Sequence, residues 1–237
     1  MPAGSLTSTA TGLGLAIAPT HLDAYAAHYT LLLAHRGEAG LTSLTDPAEV
    51  AIKHFLDSLT GLLIRDIAEG EMVADIGSGG GFPGLVLSVA RPQARYTLIE
   101  SNLKRAAFLE AAVETLHLDN VAILRDRAET AGRHPDHRDR YDLVLSRAVA
   151  PLPVGLEYAL PLARVGGHCL AMKGPHAPQE IEKSDRALSE LHGRIATTKN
   201  LSLPHSKGRR TLLLIEKTAP TPDRYPRRPG MPAKRPL

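Results

Sequence analysis

The stretch "DIGSGGGFPG" (75–84) packs glycines between two apolar runs, the arrangement of a loop that holds a ligand at the end of a strand. Two frames overlap in it. Gly79, Gly81 and Gly84 spell G-x-G-x-x-G, the pattern of dinucleotide loops, whereas Asp75, Gly77, Gly79 and Gly81 spell D-x-G-x-G-x-G. Glycines let the backbone turn sharply and approach a ligand with no Cβ in the way. A following helix offers its N-terminal amides and the positive end of its dipole to an anionic group. Both frames use that physics, so the number of glycines does not separate them.

Their position does. The apolar run before the loop ends near Ile76, which makes Gly77 the tight-turn residue. Counted from Gly77, the third dinucleotide glycine falls on Phe82, and the literal match contains Pro83. The Asp75 carboxylate would also lie near a pyrophosphate. S-adenosylmethionine (SAM) carries no phosphate; it presents a carboxylate to amides and an ammonium to an acidic partner, which suits Asp75, Gly77 and Gly79 better. Glu100, at the end of the next apolar run, is placed to accept from ribose hydroxyls, and would do so for NAD and SAM alike. A bare strand-to-helix turn with no ligand is the remaining alternative.

The elements around the loop alternate. "EMVADIG" (71–77), "RYTLIE" (95–100), "VAILRD" (121–126), "YDLVLSRAV" (141–149) and "HCLAMKG" (168–174) read as strands. Between them, 82–91, 102–118, 152–165 (interrupted by Pro161) and 178–193 read as helices. Helix-length crossovers imply a parallel, doubly wound sheet. "RIATTKNLSL" and "RRTLLLIEK" close it as an antiparallel edge. Upstream, residues 1–20 read as loosely ordered, and 19–33 and 45–67 as helices, the latter with Asp46 as cap and Pro47 in the first turn. The expected division is an N-terminal helical segment (1–70), a cofactor-binding α/β domain (71–217) and a basic, Pro-rich tail (218–237) that forms no packed helix or strand alone.

The chain has 237 residues, one cysteine, no tryptophan and a formal charge of +3. The lone Cys169 excludes an intrachain disulfide and a cysteine-rich zinc site. The eleven histidines lack ligand spacing, so no metal is expected. No apolar run approaches the length of a membrane span and no basic residue precedes "GLGLAIA" (12–18), which leaves a cytoplasmic protein as the expectation. Few aromatics argue against a surface that stacks on single-stranded bases.

Several stretches in order, "LTSLTDPAEVAIKHFLDSL" (41–59), the glycine loop, "RAE" (127–129), "SRAVAPL" (146–152), "AMKGP" (171–175) and "YPRRPGMPAKRPL" (225–237), resemble the bacterial 16S rRNA methyltransferase G family, also called the glucose-inhibited division protein B family. The resemblance implies a class I SAM-dependent methyltransferase: a Rossmann-like, mostly parallel seven-stranded sheet with an antiparallel edge, preceded by N-terminal helices. It implies transfer of a methyl group from SAM to N7 of a guanosine in the 530 loop region of 16S rRNA. Gly77 and Phe82 fall on the family's cofactor-contacting positions, Ala128 and Glu129 where the adenine end is met, and Arg147 on a cofactor-site arginine beside the substrate entrance. Gly40 departs from the asparagine the family often has before "LTS".

Guanine N7 carries an in-plane lone pair and no proton, so methylation there needs alignment and charge stabilisation, not a general base. Arg147 and Lys173, each at the carboxyl end of an expected strand, are the candidates for contacting the substrate's phosphate or guanine O6. Lys104, Arg105, Lys207, Arg209 and Arg210 are candidates for salt-sensitive phosphate contacts. The partner expected is 16S rRNA or a 30S particle, met by a monomer. The rivals are a SAM-dependent methyltransferase of another RNA, a small molecule or a protein, and a non-catalytic RNA-binding protein on the same fold.

Overall fold

A computed structural model describes residues 3–205 and 208–237. Seven strands form one sheet: β1 (Met72–Ile76), β2 (Arg95–Ile99), β3 (Val121–Leu124), β4 (Tyr141–Arg147), β5 (Ala163–Lys173), β6 (Gly193–Ser202) and β7 (Arg209–Lys217). Their order is β3-β2-β1-β4-β5-β7-β6. β1 to β5 pair in parallel, and β7 runs antiparallel between β5 and β6. The fold is that of class I SAM-dependent methyltransferases. The strand order reverses between β1 and β4, where ligands bind in open α/β sheets. The register Ile76↔Ser146 and Arg147↔Met172 brings the carboxyl ends of β1, β4 and β5 to the same edge.

The central strands are apolar on both faces because helices cover both. Leu85, Leu98, Leu143, Leu145 and Leu212 are fully buried, each contributing about 2 kcal/mol of burial. The N-terminal helices share this core: Leu6, Tyr25, Leu32, Phe55, Leu56 and Leu59 pack in one cluster with Leu85 and Leu143. Residues 1–20, expected to be loose, are instead helical over Ala3–Gly12, because Leu6 and Ala10 bury completely. The helix Pro19–Ala39 ends at Gly40, whose φ of 58° is left-handed. That conformation suits glycine or asparagine and accounts for either residue at this position.

The helical run over 47–63 starts as read, with Asp46 Oδ1 accepting from Glu49 N at 2.8 Å. Its middle, Ala51–Leu56, widens so that Asp57 N–H donates back to Ile52 O. Helix boundaries differ from the sequence reading in several places, the helix read as 19–33 running on to Ala39 among them. The helix after the glycine loop begins at Gly84, not Phe82. The helix read as 152–165 ends at Ala159, and by Ala163 the chain is already in β5, since Pro161 cannot donate to a helix. The helix read as 178–193 is two, Ala177–Glu182 and Asp185–Glu190. They part at Ser184, whose hydroxyl donates to Glu180 O at 2.6 Å and competes with the backbone ladder.

The tail folds back on the domain and is not free. Arg227 donates from its backbone and Nε to Glu157 Oε1 (2.8 and 2.9 Å), and Glu157 is fully buried. Arg138 donates to Thr221 O and Tyr225 O at 2.6 and 2.8 Å. A last short helix, Met231–Lys234, buries Pro232. Proline and charge made the tail look unable to pack, but side chains of the domain supply the partners its backbone lacks.

Candidate active site

The glycine loop is held by hydrogen bonds to the end of the neighbouring strand β2. Gly77 N–H donates to Ile99 O at 2.8 Å, and Gly79 N–H to Glu100 Oε2 at 3.0 Å. Gly77 has a φ of 65°, and a Cβ added there would stand 3.0 Å from Val149 Cγ2, so any side chain would be both strained and crowded.

Asp75 takes a different part from the one its sequence position suggested. It is 1% exposed, and its Oδ2 accepts from Gly84 N at 2.9 Å. It therefore fastens the loop from beneath and occupies the helix-start amide that a ligand carboxylate was expected to use. Its Oδ1 is buried without a partner, and burial raises the pKa of the Asp75 carboxyl to about 7.

Two cavities open at the strand ends. The smaller, of about 200 Å³, is lined by Gly77, Ile99, Asp126, Ala128, Glu129 and Tyr158, with Val149 as one wall. Its polar side chains are the Asp126 and Glu129 carboxylates, the Ser101 and Tyr158 hydroxyls and the Arg127 guanidinium. Glu100, beside it, accepts on one oxygen from Gly79 and on the other from Asn102 N (2.8 Å), which leaves a lone pair on each for a ribose hydroxyl. Glu129 is 4% exposed, and its Oε1 accepts from Gly230 N–H at 2.9 Å, so the folded tail braces this wall. The arrangement fits a nucleoside with adjacent hydroxyls; a pyrophosphate would meet these carboxylates.

The larger cavity, of about 490 Å³, is lined by Lys53, Asp57, Arg147, Lys173, Glu180 and Arg210, again with Val149 as a wall. Asp57, on the helical run over 47–63, accepts from Arg147 Nη1 at 3.1 Å and from Arg210 Nε at 2.9 Å. One carboxylate thus holds two guanidiniums drawn from β4 and β7. Burial lowers the Arg147 value and the Asp57 charge opposes that fall. Lys173 donates to Ala150 O at 2.6 Å and to Glu180 Oε2 at 2.9 Å. Ala148, between Arg147 and the shared wall, has a φ of 55°, strain kept in place by these anchors.

Phe82 lines neither cavity. Its ring lies between those of His28 (5.0 Å, 19°) and His54 (4.6 Å, 19°), with Arg147 Cζ 5.4 Å from its centroid. His28 Nε2 pairs with Gly80 O at 2.8 Å. Burial holds both histidines near 4, so the stack is neutral at physiological pH. The N-terminal helices therefore grip the glycine loop through aromatic contacts.

Of the basic residues expected to meet phosphate, Lys104 and Arg209 are exposed. Arg105 donates to Gly40 O at 3.4 Å, and Arg210 is committed to Asp57. Arg209 and Arg210 line a further cavity of about 570 Å³ beside β6. Lys207 lies outside the described residues. Sequence reasoning missed Asp57, Val149, Tyr158 and Glu180. Asp57 and Glu180 look like ordinary surface acids of amphipathic helices, and only the fold brings Asp57 to Arg210 across 153 positions.

Among the described residues no group of three or more His, Cys, Asp or Glu could hold a metal ion. Among them, too, no helix is long and apolar enough to cross a membrane.

The chain is similar to known proteins. The family model described as rRNA small subunit methyltransferase G (GidB) matches residues 21–212. The ribosomal RNA small subunit methyltransferase G of Pelotomaculum thermopropionicum is 44% identical over 95% of this chain and 94% of its own. That of Deinococcus deserti is 44% identical over 95% and 92%. Among solved structures, a SAM-dependent methyltransferase from Aquifex aeolicus superposes with a TM-score of 0.54 at 18% identity, covering 75% of this chain and 97% of that one. TYW2 of M. jannaschii, in complex with AdoMet, gives 0.53 at 14% identity over 69% and 74%. With a family model spanning most of its length and relatives this similar end to end, the chain belongs to the rRNA small subunit methyltransferase G family.

Proposed function

We propose that this protein transfers a methyl group from SAM to N7 of a guanosine in the 530 loop region of 16S rRNA, acting as a cytoplasmic monomer on the rRNA or on a 30S particle. The observation that carries the reading is the pair of cavities that share Val149, the smaller beside the glycine loop with Asp126 and Glu129 in its lining and the larger lined by Arg147, Arg210 and Lys173 with their acidic partners.

Gly77 and Gly79 let the backbone close on the cofactor, Glu100 accepts from its ribose hydroxyls, and Ala128 and Glu129 meet its adenine end. Asp75 and Phe82 act one step back, fixing the loop. SAM supplies an electrophilic methyl group on a sulfonium. N7 attacks through its own lone pair, so the protein moves no proton; its task is to hold the base in line and shield the site from water. Arg147 and Lys173 orient the nucleotide from the larger cavity. Lys104 and Arg209, both exposed, supply phosphate contacts, with Arg105, Arg210 and Lys207 as the further candidates the sequence offers, which makes binding salt-sensitive.

Incubation with labelled SAM and either undermethylated 16S rRNA or 30S particles, followed by mapping of the modified nucleotide, tests this. Label at guanine N7 in the 530 loop region is expected. Label elsewhere, or on neither substrate, refutes it.

A further inference from the structure

The larger cavity contains an ion pair, Lys173 with Glu180, whose acid has no part in the steps above. Lys173 is the last residue of β5, and Glu180 sits on the helix Ala177–Glu182. Glu180 Oε2 accepts from Leu152 N–H at 2.6 Å and from Lys173 Nζ at 2.9 Å. Glu180 Oε1 has no partner among the described residues, while the side chain, 26% exposed, borders the cavity. Lys173 also donates to Ala150 O at 2.6 Å, which leaves one of its three N–H groups. Both side chains are thus anchored to the segment just after Val149, the wall shared with the smaller cavity assigned above to the methyl donor. The result is a rigid free acceptor beside a free donor.

We propose that this pair reads the Watson–Crick edge of the target guanine: Glu180 Oε1 accepts from N1–H and N2–H, and Lys173 Nζ donates to O6. The proposal rests on the N7-guanosine reading above. Guanine presents two donors and an acceptor along that edge. Adenine would turn its N1 lone pair toward the carboxylate and leave Glu180 unpaired, which sites of this kind reject strongly.

The pair also answers an electrostatic problem. As N7 takes the methyl group the ring becomes positive, and Arg147, Arg210 and Lys173 all oppose that charge. Glu180 is the carboxylate of this cavity with an oxygen uncommitted. Its contact with N1–H strengthens as the ring gains charge, because that proton becomes more acidic. The interaction is therefore stronger in the transition state than in the ground state, the condition for accelerating the step.

The test compares 30S particles and 16S rRNA carrying guanosine or inosine at the target nucleotide; inosine lacks only the N2 amino group. The wild-type protein is expected to methylate the guanosine form about tenfold or more faster in kcat/KM, the worth of one hydrogen bond to a charged group. E180Q is expected to lose activity on guanosine while the guanosine-to-inosine ratio collapses toward one, with SAM affinity by calorimetry unchanged. E180D, which keeps the carboxylate, should restore part of the ratio. A wild-type protein indifferent to inosine overturns the inference without needing any variant, as does an E180Q variant that keeps the wild-type ratio. Methylation of wild-type substrate at an atom other than N7 overturns the functional reading itself, and this inference with it.

Discussion

The two cavities that meet at Val149 are built on opposite plans. The smaller draws its polar groups from the ends of β1, β2 and β3 and the short segments just after them, with Tyr158 added from the helix Leu152–Ala159, and it relies on the loop backbone and on the Asp126 and Glu129 carboxylates. The larger is a meeting of distant parts: a helix of the N-terminal segment, the ends of β4 and β5, and the start of β7, held by ion pairs around Asp57 and Glu180. The first plan makes a preformed mould for one small molecule. The second makes an electrically balanced surface that exists only when the whole fold is closed.

That contrast can be broken experimentally. The largest effect is expected from Asp57→Asn, which strands two partly buried guanidiniums; stability in urea should fall by about 3 kcal/mol or more. An unchanged midpoint would mean that Asp57 does not hold the larger cavity together. Arg147→Ala leaves the Asp57–Arg210 pair intact and should lower methylation kcat/KM by about a hundredfold. SAM affinity should change less than about threefold, since Arg147 lines only the larger cavity; an equal loss of both would merge the two sites into one.

Gly77→Ala should do the reverse, weakening SAM binding by about tenfold through left-handed strain and the contact with Val149, while RNA binding holds. Calorimetry with SAM and a filter-binding assay with rRNA separate the two.

A subtler difference lies in pH dependence. Asp75, raised from 3.8 to about 7, keeps a proton in the native state that the unfolded chain has released, so its contribution to stability is lost as pH rises toward 7. His28, lowered from 6.5 to about 4, does the opposite: its contribution is lost as pH falls from 6.5 to 4. The two oppose each other in that window. Asp75→Asn removes one side, so the variant's stability should climb more steeply with pH, by about 1.4 kcal/mol per unit. Parallel curves for the two proteins would show that Asp75 is ionised in the fold. Smallest of all, Arg209→Ala should reduce the salt slope of rRNA binding by about one and leave SAM affinity alone.

The same contrast explains what the sequence disclosed. The turn at Gly77 and the alternation of strands and helices were legible because each depends on local spacing: where a strand ends fixes which glycine turns and which carboxylate, Glu100, stands beside the loop. Asp75 was correctly singled out as unusual but given the wrong partner, since spacing shows that a carboxylate is near the turn and not which side of the loop it occupies. The larger cavity was half legible. Arg147 and Lys173 stood out at strand ends, but their acidic partners did not, because Asp57 and Glu180 carry no local mark. The first twenty residues and the tail were underestimated for a related reason. Their few apolar side chains, and the proline-rich backbone after residue 217, find partners only on a finished surface.

The hydrogen bond from Gly230 N–H to Glu129 Oε1 joins positions 101 residues apart. Protein synthesis runs in one direction, so a growing chain can complete the strands, the glycine loop and Glu100 well before this brace exists. The cavity wall at Glu129 acquires its support only after residue 230 has cleared the ribosome's exit tunnel. A protein that works on ribosomal RNA would thus leave the machine that made it before it could hold its methyl donor firmly. Arrested chains stopped before residue 227, compared with chains extended well past residue 237 by a linker, should differ in SAM retention if this order holds.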